Sequence, residues 1–86
     1  MWIYYRFICY ANPCAYSDLE IATILYESKD IPPDKIDLAH EICTPRYQLH
    51  RYPYPTEEEA QCHLDADKHL LKSMYGPSVK VFILEE

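Results

Sequence analysis

The chain has 86 residues, 49% of them hydrophobic and 14% aromatic, a composition that suits one small folded domain and excludes a disordered segment. Fourteen acidic residues against eight basic ones give a net charge of -6, which argues against direct nucleic-acid binding, since that affinity comes mainly from neutralising phosphates. No apolar run reaches the roughly 18 residues of a bilayer span, and the N-terminus shows no secretory pattern, so a cytoplasmic protein with no membrane partner is expected.

Residues 2–10 alternate and are rich in aromatic and branched side chains, which predicts a strand. Trp2, Tyr4, Arg6, Ile8 and Tyr10 fall on one of its faces, and Ile3, Tyr5, Phe7 and Cys9 on the other. Asn12-Pro13 breaks it. Ser17 and Glu20 form a capping box for a helix running to about Ser28. Leu19, Ala22 and Tyr26 line a stripe that Ile21, Ile24 and Leu25 widen, so this helix is expected to be substantially buried. Pro32 and Pro33 prevent its continuation.

Residues 35–43 read two ways. Ile36, Leu38, His40 and Ile42 alternate like a strand, while Ile36, Ala39 and Cys43 suit a short helix. The strand is favoured, because residues 43–46 then turn into a further strand at 47–52. Residues 52–55 alternate Tyr and Pro and should be stiff and extended. Thr56 and Glu59 form a second capping box. Ala60, Leu64, Leu71 and Met74 follow at helical spacing, with Leu70 beside them, and Gly76 is placed to cap the C-terminus. Val79, Val81 and Ile83 alternate with Lys80, Phe82 and Leu84 in a last strand.

The order β-α-β-β-α-β predicts an α+β, ferredoxin-like split sandwich over residues 1–86, an antiparallel sheet with two helices on one face. Ile3, Tyr5, Phe7, Val79, Val81 and Ile83 are then the expected core. The opposite face would stay open, carrying Trp2, Tyr4, Arg6, Ile8 and Tyr10 with Phe82 and Leu84, and Gln48, His50 and Tyr52 beside them. So much aromatic surface in water points to an association surface, and Tyr, Trp and Arg are the types enriched at binding hot spots.

The acidic residues include Asp18, Glu20, Glu27, Asp30, Asp34, Asp37, Glu57, Glu58, Glu59 and Asp65. Those at the two helix starts are where helix dipoles favour them. Glu57, Glu58 and Asp65 fall on the exposed side of the second helix, and an acidic surface there suits a basic partner. The four cysteines, Cys9, Cys14, Cys43 and Cys62, lack a secretory context and are expected to be free thiols. The pairs Cys9/Cys14, His40/Cys43 and Cys62/His63 are scattered over different elements, so no zinc site or cofactor is expected. His40 and Cys43 lack an oxyanion hole or an orienting group beyond Glu41, and Asp67 near the second helix's apolar stripe suggests an edge residue, so no enzyme is expected.

These observations imply a small acidic, non-enzymatic regulator or inhibitor of a host protein with a basic surface, a nucleic-acid-processing enzyme being the natural target. Size, charge and missing motifs are analogous to the viral and mobile-element inhibitors that include anti-CRISPR proteins. The alternative is a dimeric ligand-binding or sensor module that associates through its open sheet face. The candidate partner-binding residues are Tyr4, Arg6, Ile8, Tyr52 and Phe82 on the sheet, and Glu57, Glu58 and Asp65 on the second helix.

Overall fold

The computed structural model describes residues 1–10, 16–28, 40–43 and 46–86. They form β1 (Trp2–Cys9), α1 (Asp18–Ser28), β2 (His40–Cys43), β3 (Tyr47–Tyr54), α2 (Glu57–Tyr75) and β4 (Val79–Glu85), with a 3-10 turn at Gly76–Ser78. The architecture is α+β: one antiparallel sheet and two helices. The strand half of the expectation for 35–43 holds at His40–Cys43, and residues 35–39 lie outside the described residues.

Local chemistry accounts for the element boundaries. The Ser17 amide donates to the Glu20 carboxylate at 2.8 Å, and the Glu20 amide donates back to the Ser17 hydroxyl at 3.2 Å. This reciprocal box satisfies two amides that the first helical turn leaves unpaired. Thr56 caps α2 by accepting from the Glu59 amide at 3.2 Å. Gly76 ends that helix at φ 60, a conformation that disfavours a side chain, and its amide donates to the Lys72 carbonyl. β3 runs through Pro53 to Tyr54, two residues past the expected end. Described β2 begins opposite Arg51, so among the described residues no strand takes a hydrogen bond from position 53 on that side, where a proline is tolerated.

The sheet order is β2-β3-β1-β4, and each neighbouring pair is antiparallel. β1 is central. Its odd residues Ile3, Tyr5, Phe7 and Cys9 pack with Leu49 of β3 and with Ile21 and Leu25 of α1. Its even residue Tyr4 packs with Ala60 and Leu64 of α2, with Trp2, Tyr52, Tyr54, Val81 and Ile83 around them. The helices therefore cover opposite faces, and the expected placement of both on one face is corrected. The reason lies in β1, which is apolar on both sides and needs cover on both. Crossovers of the same hand would have put both helices on one face, so the two here differ in hand.

Register corrects the expected core as well. Val81 pairs with Arg6 and Ile83 with Tyr4, so Val79, Val81 and Ile83 share the α2 face, and Phe82 and Leu84 share the α1 face with Tyr5 and Ile3. Tyr4 and Phe82 therefore stand on opposite faces. On α1 the buried residues are Ile21 and Leu25, while Leu19 (77% exposed) and Tyr26 (72%) point outward. On α2, Ala60, Leu64 and Leu71 are buried, and Met74 and Leu70 are exposed, against the expected stripe.

Candidate interaction surfaces

The face expected to be open is closed by α2. Tyr4 is 1% exposed and Ile8 2%. The inward stripe of α2 at 60, 64, 67 and 71 carries an acid at its third position, and Asp67 uses it. Its carboxylate accepts from the Tyr4 hydroxyl at 3.1 Å and lies 3.9 Å from the Arg6 guanidinium. Arg6 also donates to the Tyr52 hydroxyl at 2.9 Å, and its guanidinium carbon sits 5.4 Å from the centre of that ring. His50 also stacks with Tyr52, with ring centres 6.0 Å apart. Burial, reinforced by the Asp67 carboxylate, pushes the Tyr4 phenol far above the usual tyrosine range. Tyr4 is thereby held in its protonated form, as the donor to the Asp67 carboxylate.

A second polar cluster closes the α1 face. The Tyr5 hydroxyl donates to the Glu86 carboxylate at 2.8 Å, and Arg51 pairs with the same carboxylate. Burial and Glu86 push the Tyr5 phenol up to about 12, against the opposing pull of the Arg51 hydrogen bond. Tyr5 also stacks on Phe82 at 5.4 Å, which accounts for the half-buried state of Phe82.

The expected partner-binding residues thus separate. Tyr4 and Ile8 belong to the core; Arg6 and Tyr52 are half-buried in the network under α2; Phe82 lies on the other face. Glu57, Glu58 and Asp65 are exposed, and with Gln61 and Cys62 they line a shallow depression along α2. Gln61 donates to the Asp65 carboxylate at 3.0 Å and fixes its position on the helix. From Tyr52 to Asp67 the chain has five acidic residues and no Lys or Arg, until Lys68 reverses the sign. Asp18 and Glu20 start α1, where Asp18 meets Lys80 of β4 at 3.5 Å. Asp30, Asp34 and Asp37 lie outside the described residues.

The Cys9 thiol is buried under α1 and the Cys62 thiol is exposed on α2, across the sheet from it. The two thiols cannot share a metal or a disulfide. Among the described residues no group of three or more His, Cys, Asp and Glu side chains converges, and no helix is long and apolar enough to cross a membrane. Cys14 and the side chains of His40, Glu41 and Cys43 lie outside the described residues.

Sequence reasoning missed the outward stripe of α1 and the pairing of Tyr4 with Asp67. The i, i+4, i+7, i+11 spacing of Ala60, Leu64, Asp67 and Leu71 carried the second signal. No family model, curated protein or solved structure is significantly similar to the chain.

Proposed function

We propose that the protein is a small, acidic, non-enzymatic regulator or inhibitor that binds a basic surface of a protein partner through the outer face of α2. The observation that supports this reading is the exposed run of Glu57, Glu58 and Asp65 with no Lys or Arg between Tyr52 and Asp67. Helix-dipole compensation explains Glu57 and Glu58 in the first turn, but that effect fades within a turn and leaves Asp65 unexplained. A basic protein surface is its natural counterpart, and the grooves of nucleic-acid-processing enzymes are such surfaces. An inhibitor that occupies such a groove in place of nucleic acid, of the kind mobile elements direct against a host, is the specific form of this reading. In fold terms we read the domain as a split β-α-β-β-α-β plan with one helix moved to the far face.

The test is affinity capture from the source or host cell with the wild-type chain and with the triple variant Glu57→Lys, Glu58→Lys, Asp65→Lys. A basic nucleic-acid-binding protein should be retained by the wild type, displaced by added nucleic acid, and lost with the variant. Equal capture by both would overturn the reading. Charge reversal at these exposed positions should leave circular dichroism unchanged.

A further inference from the structure

We draw no further inference here: the strongest candidate, the shallow apolar cleft that Ile21, Leu25, Phe82 and Leu84 line between α1 and β4, carries none, because nothing in the structure shows what covers it.

Discussion

On the α1 face, Ile3, Tyr5, Phe7 and Cys9 meet Ile21, Leu25 and Leu49, and rings meet rings: Phe7 stacks with Tyr47 at 5.5 Å and meets Tyr16 edge-on at 5.3 Å. On the α2 face the buried residues include Tyr4, Ile8, Ala60, Leu64 and Leu71, and a polar chain runs from Asp67 through Tyr4 and Arg6 to Tyr52 and His50. One face is held by apolar burial, which is proportional to area and indifferent to direction. The other gains from hydrogen bonds whose partners are costly to remove singly. The same central strand supports both because alternate residues of β1 serve different layers. Deletions should therefore cost volume on one face and leave orphaned polar groups on the other.

The largest effect is expected at Phe7, which is fully buried and touched by two other rings. Phe7→Ala should lose about 3–5 kcal/mol in urea unfolding, enough to leave so small a domain largely unfolded. A loss below about 1 kcal/mol would mean that the α1 face is not the main core.

Alkaline titration probes both faces without mutation. Burial raises the phenols of Tyr4 and Tyr5, and also those of Tyr47 and Tyr54. A raised phenol favours the neutral form in the folded state, so its contribution is fully present below the ordinary value near 10. As pH rises above that value the unfolded chain releases protons that the folded one keeps, and stability falls until Tyr5 ionises at about 12. Absorbance at the tyrosinate band should show a late group of the nine tyrosines, ionising together with loss of circular dichroism. A single early transition of all nine with the fold intact would contradict the burial of Tyr4 and Tyr5.

A smaller effect, about 1–3 kcal/mol, is expected for Asp67→Ala, which leaves the Tyr4 hydroxyl without its acceptor. Tyr4→Phe removes the donor as well, so the double variant should cost less than the sum of the two single ones. Additive losses would show that the hydrogen bond contributes nothing.

The smallest effects belong to the caps. Ser17→Ala removes the hydroxyl that accepts from the Glu20 amide, keeps the backbone amide that donates to the Glu20 carboxylate, and should cost about 1 kcal/mol, read as a drop in melting temperature. Thr56→Ala breaks one amide bond to the hydroxyl and should cost no more. A larger loss at Thr56 would mean that α2 depends on its cap more than on its packing.

Several of these features were readable before any tertiary contact was known. Ser17 with Glu20, Thr56 with Glu59, and Gly76 followed by Pro77 mark helix ends through bonds that span three or four residues. The alternation in residues 2–10 and 79–84 marks strands for the same local reason. The exposure of Glu57, Glu58 and Asp65 followed from helical phase alone. What alternation could not say was which set of β1 side chains faces which layer, because Ile3, Tyr5 and Phe7 are no more apolar as a set than Trp2, Tyr4 and Ile8. That choice rests on where each crossover lays its helix, and on the β1–β4 register that sets Val81 opposite Arg6. Both depend on contacts between residues more than 60 positions apart in the chain. Only the tertiary structure, with a helix on each face, turned Tyr4 and Ile8 from surface into core and left Leu19, Tyr26 and the β4 edge outside.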